Sequence, residues 1–181
     1  LFNTLANVKR LYETAPDRGR EMLGSLINYL KAALPGMREP GSTLAREIEL
    51  VRSFLTILQM RMGERLQFSI DAPAGLADAR LPPMVLPTLV ENAIKHGLSP
   101  LPEGGRIDIR ARGADGRLTV EVADDGAGFS ATAGSGVGLA NTRSRLAALY
   151  GSNASLSLAT AAPRGVIARI ALPLQYQEPA P

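Results

Sequence analysis

The residues best equipped for chemistry fall in three clusters. Glu91, Asn92, Lys95 and His96 crowd one stretch, ENAIKHG, which ends at Gly97. Asp124 and Asp125 head a DDGAG run to Gly128, and Gly134, Gly136 and Gly138 punctuate a GSGVGL run to Leu139. On a helix, Glu91 and Lys95 are four residues apart, as are Asn92 and His96, so each pair shares one side. A carboxylate, an amide, an ammonium and an imidazole so close together suit a metal ion and phosphates better than an apolar core.

The Asn92 amide oxygen is a hard, neutral ligand suited to magnesium, which keeps several waters and bridges protein to phosphate oxygens. One helical turn on, Lys95 offers a point charge and His96 a donor to phosphate. Taken alone, ENAIKHG equally fits a solvated helix end with Gly97 as its stop. Asp124 emerges from an alternating stretch, Leu118, Val120, Val122, into a glycine loop. A carboxylate there can accept from an exocyclic amine such as adenine's, while Gly126 and Gly128 let backbone approach a flat ring. Alone, the same residues also make a tight turn. Gly134, Gly136 and Gly138 precede a helical pattern, where exposed amides and the helix dipole favour phosphate. No lysine followed by Ser or Thr closes this run as in a P-loop, and no βαβ unit surrounds it. Between the glycine runs, residues 129–133 have the length of a short lid.

Helical periodicity dominates the first third of the chain. Leu1, Leu5, Val8 and Leu11 or Tyr12 form one stripe, and Met22, Leu23, Leu26, Ile27, Leu30 and Leu34 the next, with a break at Pro16 and Asp17. Residues 34–42 hold two prolines and two glycines and read as a loop. A third helix is expected from Thr43, capped by Ser42 or Thr43, to Met62, with Gly63 closing it. Its apolar positions are Leu44, Ile48, Val51, Leu55, Leu58 and Met62; no strict capping box is present.

Beyond Gly63 strands alternate with helices. Leu66, Phe68 and Ile70 alternate as a strand, and residues 81–97 read as a helix with its prolines confined to the start. Strands are expected over 106–112 and 117–123, joined by the Asp115–Gly116 hairpin signal. A helix over 139–150 and strands over 156–160 and 166–172 complete the pattern, and the tail from Gln175 is expected to fray. Hairpin-paired strands with helices on one face define an α+β sandwich.

Composition narrows the possibilities. The 181 residues, 45% of them hydrophobic, can form one substantial core and a smaller appendage, and with no cysteine, disulfide and thiolate chemistry are excluded. An intracellular setting is the easier fit. No apolar run reaches the length of a membrane span. The net charge of +3 is dispersed and aromatics make up 4%, which gives no stacking platform for nucleic acid.

The three motifs in this order resemble the GHKL ATPase/kinase superfamily. Within it, the chain is most similar to LytS-type (YehU-type) sensor histidine kinases, through LFNTL at the start, TLAREIELVRSFLTILQMRMGERL, LPPMVLPTLVENAIKHGL, the two glycine runs and ALYG at 148–151. The resemblance implies a Bergerat-type ATP-binding sandwich over 63–175, a helical dimerisation and phosphotransfer region over 1–62, and a short tail over 176–181. It implies Mg2+ and ATP as cofactors, with Asn92 the metal ligand, Asp124 the adenine-binding carboxylate, and Gly126 and Gly128 its loop. Gly134, Gly136, Gly138 and Leu139 would form the second glycine box, and Lys95, His96, Asn141 and Arg143 would face the phosphates. Lys95 would also stabilise transferring charge, and Glu91 resembles the acidic neighbour that polarises water or an acceptor in some members.

In this family the acceptor histidine stands in a PHFLFN motif, and the chain opens at its LFN, so the acceptor is expected just upstream of Leu1. His96 is then a neighbour of the phosphates, not the acceptor. A second departure is Pro163, Arg164, Gly165, where related chains often carry a glycine pair. The implied partners are a second copy, bound through the Leu and Ile stripe of the N-terminal helices, and a response regulator, a LytTR-type DNA-binding regulator being one candidate. No direct nucleic-acid or membrane contact is expected of this region, which would lie in the cytoplasm with the full-length protein anchored in the inner membrane. Two other readings stand beside the kinase: an ATPase clamp with Glu91 as general base, and a nucleotide-holding scaffold.

Overall fold

The computed structural model describes residues 12–36, 41–128 and 137–177. Helix α1 (Pro16–Gly36) starts at a proline, whose missing N–H costs nothing in a first turn, with Asp17 beside it. The expected break at Pro16 is therefore a helix start. The helix also runs through Pro35 to Gly36, three residues into the expected loop. Pro35 forfeits one hydrogen bond in the last turn, which a helix end tolerates better than its interior.

Helix α2 (Leu44–Met62) is bounded as its sequence predicts. Thr43 is the N-cap, its Oγ1 accepting from Arg46 N at 3.4 Å, and Gly63 (φ 63°) closes the helix by donating to Gln59 O. It runs antiparallel to α1: Arg18 reaches Met60 O, and the Tyr29 and Phe54 rings meet at 5.9 Å. Met22 and Leu26 bury against Ile57 in a small core between the two helices. The opposite side of α2 carries the stripe Leu44, Ile48, Val51, Leu55, Leu58 and Met62 into the main core. That stripe is spent within the chain, so it is not a dimer seam. Leu23 and Ile27 of α1 and Tyr12 remain exposed instead.

The main core lies under a five-stranded sheet. Its strands are β2 (Leu66–Asp71), β4 (Gly105–Ala114), β5 (Arg117–Asp124), β6 (Ser155–Thr160) and β7 (Val166–Pro173), in the order β2-β4-β5-β7-β6. All neighbours are antiparallel except β2 and β4, which are parallel and joined by a helical crossover. That parallel pair is not expressed in local periodicity. Asp115 (φ 51°) and Gly116 (φ 69°) make the β4–β5 turn, two successive left-handed residues as a two-residue hairpin requires. The inner face presents Ile107, Ile109, Ala111, Leu118, Val120, Val122, Ile170 and Leu172 to the helices. On the outer face one row alternates in sign, Asp71, Arg110, Glu121 and Arg169 in register, so that each charge lies opposite its counterpart on the next strand.

The stretch 81–97 is not one helix. Leu81 belongs to a two-residue strand, β3 (Arg80–Leu81), paired with β1 (Ser42–Thr43). Helix α3 (Val85–Asn92) follows and widens into a π-turn over Ala93–Leu98. Pro82 and Pro83 explain the late start, because a residue before proline is pushed out of the helical region. Helix α4 (Val137–Tyr150) completes the helical layer, with Leu139 and Leu146 buried. The tail does not fray at once: Arg80 N donates to Gln175 O at 2.7 Å, and Gln177 N to Asp78 O at 2.9 Å.

Candidate functional site

Helix α3 enters from Met84, a left-handed residue (φ 63°) whose own side chain makes no cap. The cap comes from another element. Glu47 of α2 is fully buried, and its carboxylate accepts from Met84 N at 3.0 Å and from Leu86 N at 3.1 Å. Burial raises its pKa, while the amides of residues 84–86 and the Ser42 hydroxyl act in the opposite sense. An eight-residue helix is thus fixed at its start by an anion placed at its positive end.

At the other end of α3 stands Asn92. Its Nδ2 donates to Thr88 O at 2.7 Å, which fixes the amide and leaves Oδ1 as the group on offer. Gly138 of α4 faces the same place: a Cβ there would lie 3.1 Å from Thr88 Cγ2 and 3.8 Å from Asn92 Nδ2. Thr142 donates to Gly138 O at 2.9 Å, and Arg145 donates to Pro83 O at 2.6 Å, which ties α4 to the entry of α3. The second glycine motif is therefore brought against ENAIKHG through Gly138, while Gly134 and Gly136 and the expected lid lie outside the described residues.

The π-turn changes the side-chain rows read from the sequence. Its hydrogen bonds run to the fifth residue, so Lys95 and His96 are displaced from the strict α-helical rows of Glu91 and Asn92. Glu91, Lys95 and His96 are all exposed, and Ala93, Ile94, Gly97 and Leu98 are buried. Gly97 is not a terminal stop. A Cβ on it would lie 2.5 Å from Asp124 Oδ1, and a Cβ on Gly126 would lie 2.3 Å from the Gly97 carbonyl carbon. Only bare backbone fits here. Ala127 N then donates to Gly97 O at 2.9 Å, fastening the DDGAG loop to ENAIKHG.

Asp124 owes its position to strand period. Leu118, Val120 and Val122 point inward, so the next alternate residue, Asp124, also does, and it is 6% exposed. Its Oδ1 accepts from Gly126 N at 2.9 Å. Burial is the largest influence on this carboxyl and raises its pKa; amide bonds from Gly126 and Val166 lower it, and Asp125 raises it. The second aspartate instead secures the neighbouring strand. Asp125 Oδ1 accepts from Arg106 N at 2.7 Å, in space that only Gly105 leaves open. Gly165 (φ 105°) lies beneath the loop, where a Cβ would fall 1.9 Å from Asp124 O. The Pro163, Arg164, Gly165 departure thus retains the glycine that this approach demands.

These groups suit the cofactors the motifs imply. A carboxylate offers about four lone-pair sites; the Gly126 and Val166 amides take two, leaving acceptor capacity for an exocyclic amine. Among the described residues no group of three His, Cys, Asp or Glu gathers as a metal cage. Magnesium bound through one protein oxygen, waters and phosphates needs none. Asn141 and Arg143 are exposed on the first turns of α4, and Leu139 is buried beside them with its side chain in the core. Sequence reasoning named Asp125 and Gly165 without giving them these roles, and missed Glu47 and Gly105. Only a mismatch could have marked Glu47: it is an acidic residue among apolar neighbours on the buried side of α2.

A mixed five-stranded sheet backed by helices, with Asn92 at the end of α3 and Gly97 meeting Asp124 and Gly126 in the turn just beyond it, defines a GHKL-type nucleotide-binding domain. Residues 77–176 match the family model described as histidine kinase-, DNA gyrase B-, and HSP90-like ATPase, and residues 1–66 match the model described as histidine kinase. The chain belongs to this histidine kinase family. It is 35% identical to the sensor histidine kinase BtsS of Escherichia coli over 88% of this chain and 28% of that protein. It is 25% identical to the sensor protein LytS of Enterococcus faecalis, over 98% of this chain and 32% of that protein. The chain thus spans about a third of the length of these relatives. The catalytic domain of histidine kinase ThkA superposes with a TM-score of 0.59 at 19% identity, covering 76% of this chain and 97% of that domain. A blue-light activated histidine kinase domain from Erythrobacter litoralis superposes at 0.56 with 18% identity, over 93% of this chain and 85% of that one. These two likenesses support the fold.

Proposed function

We propose that this chain is the kinase core of a two-component sensor, binding Mg·ATP and passing the γ-phosphoryl to a histidine just upstream of Leu1 and then to a response-regulator aspartate. The observation that carries the reading is the junction of Gly97, Asp124, Gly126 and Ala127, which fastens the loop that follows Asp124 to the turn that follows Asn92. Asp124 orients the base, Asn92 offers Oδ1 to the metal, and Lys95, His96, Asn141 and Arg143 flank the phosphates. Bound Mg2+ would supply charge neutralisation across the phosphate oxygens. The protein's part is positioning and electrostatics.

The exposed Leu23 and Ile27 of α1 favour a homodimer formed through that helix. Among the described residues no helix is long and apolar enough to cross a membrane; the proposal includes an inner-membrane anchor in the full-length protein. The proposed division keeps 1–62 as the helical region, 63–175 as the ATP-binding domain and 176–181 as a tail. An N-terminally longer form carrying the upstream histidine, incubated with γ-labelled ATP, tests the function. Acid-labile label on the protein supports the kinase. Free phosphate alone supports a clamp ATPase with Glu91 as base, and neither product supports a scaffold.

A further inference from the structure

We propose that Glu47 is a positioning residue for the magnesium side of the nucleotide site: from α2 it anchors the start of the helix whose far end presents Asn92. The inference rests on the Mg·ATP reading of that site. Three links join the two residues. Met84 N donates to Glu47 Oε1 at 3.0 Å; Thr88 donates to Met84 O both from Oγ1, at 2.6 Å, and from its amide, at 3.2 Å; Asn92 Nδ2 donates to Thr88 O at 2.7 Å. Each carbonyl and amide in the line is fixed by the one before it.

The arrangement makes Asn92 sensitive to its distant anchor. Helix α3 has no side-chain cap of its own, and its entry residue holds a left-handed conformation that nothing in the Met84 side chain favours. Both carboxylate oxygens of Glu47 are engaged with the first amides of the helix, so the direction of α3 relative to α2 is set there. Eight residues at a rise of roughly 1.5 Å carry Asn92 about 12 Å from the anchor, where a tilt of about 5° moves it by about 1 Å. A displacement of that size can cost on the order of 100-fold when a reacting or coordinating group must be placed accurately. Asp124 stands apart from this lever. It is carried by β5 and held by the Gly126 amide, neither of which belongs to α3.

The separation gives the test. Glu47→Gln keeps the size of the side chain but offers one acceptor where two amides need one each. Titrations of the chain with the β,γ-imido analogue of ATP, with and without Mg2+, measure the two parts of the site independently. The magnesium-dependent gain in affinity should fall about tenfold, in line with other residues that orient a metal ligand. The magnesium-free affinity should stay within about twofold, because the adenine side does not pass through Glu47. A retained magnesium gain, or an equal loss in both titrations, overturns the proposal; a purely structural role predicts the equal loss. If Glu47→Gln fails to fold, Glu47→Asp, which keeps the charge and shortens the reach, is read against the same outcomes. Asn92→Ala separates the two levels of inference. If it removes the magnesium gain while the Glu47 variants retain it, only the positioning role falls; if it leaves the gain intact, the metal reading falls and the positioning role with it.

Discussion

Substituting Gly126 by alanine puts the joint between the two motifs under direct stress. The added methyl would lie 2.3 Å from the Gly97 carbonyl carbon and 2.4 Å from its Cα, both backbone atoms, so no side-chain rotation relieves it. Either the DDGAG loop lifts or the π-turn retreats. Both movements break the Ala127 N to Gly97 O bond, and lifting the loop also disturbs the Gly126 N to Asp124 Oδ1 bond. A neutral hydrogen bond contributes about 1 kcal/mol net, and one to a charged group about 1.5–3 kcal/mol. A loss of about 3 kcal/mol corresponds to roughly 100-fold in an equilibrium constant. Calorimetric titration with ATP should therefore show Gly126→Ala binding about 100-fold more weakly, with the cooperative unfolding transition retained at lower temperature. Affinity within about twofold of the parent chain would show the opposite, that the loop tolerates what the backbone contacts forbid.

Three further outcomes follow from the same contacts. Asn92→Ala should abolish magnesium-dependent labelling from γ-labelled ATP in the longer form while leaving thermal unfolding unchanged, since its Nδ2 bond to Thr88 O is local to α3; unchanged labelling would contradict the metal role. Burial holds the Asp124 carboxyl above its ordinary value of 3.8, so the folded chain keeps this proton to higher pH than the unfolded chain. Its stabilising contribution is then complete below 3.8 and is lost as pH rises through the raised value. Asp124→Asn should flatten the slope of melting temperature against pH in that window, and equal slopes would count against the buried carboxyl. Gly24 lies on the exposed face of α1 with open space where a Cβ would go, so Gly24→Ala should stabilise the helix by about 0.5–1 kcal/mol, read as a higher melting temperature.

What the sequence discloses, and what it withholds, divides along the range of the interactions. Helix α2 is legible at both ends because Thr43 and Gly63 act on their own neighbours, and the β4–β5 hairpin because Asp115–Gly116 fixes its own turn. Asp124 is legible as a strand-end carboxylate because alternation carries Leu118, Val120 and Val122 inward ahead of it. The β1–β3 pair and the parallel β2–β4 pair are not legible, since partners distant in sequence leave no local period. Residues 81–97 mislead for a related reason: their apolar spacing fits a helix throughout, but Leu81 pairs with Ser42, and Gly97 must widen the turn to meet Asp124. Glu47 is hidden most fully, because its partners are amides of residues 37 and 39 positions away.

Residue-resolved amide shifts during titration of the isotopically labelled chain with Mg·ATP bear on the nucleotide site without any intermediate assumption. Large shifts are expected at Gly97, Asp124, Gly126 and Ala127, together with Asn92, and small ones along the outer sheet row of Asp71, Arg110, Glu121 and Arg169. Shifts centred on that outer row, or no saturable change at the junction of the two motifs, would place the nucleotide elsewhere or nowhere on this chain.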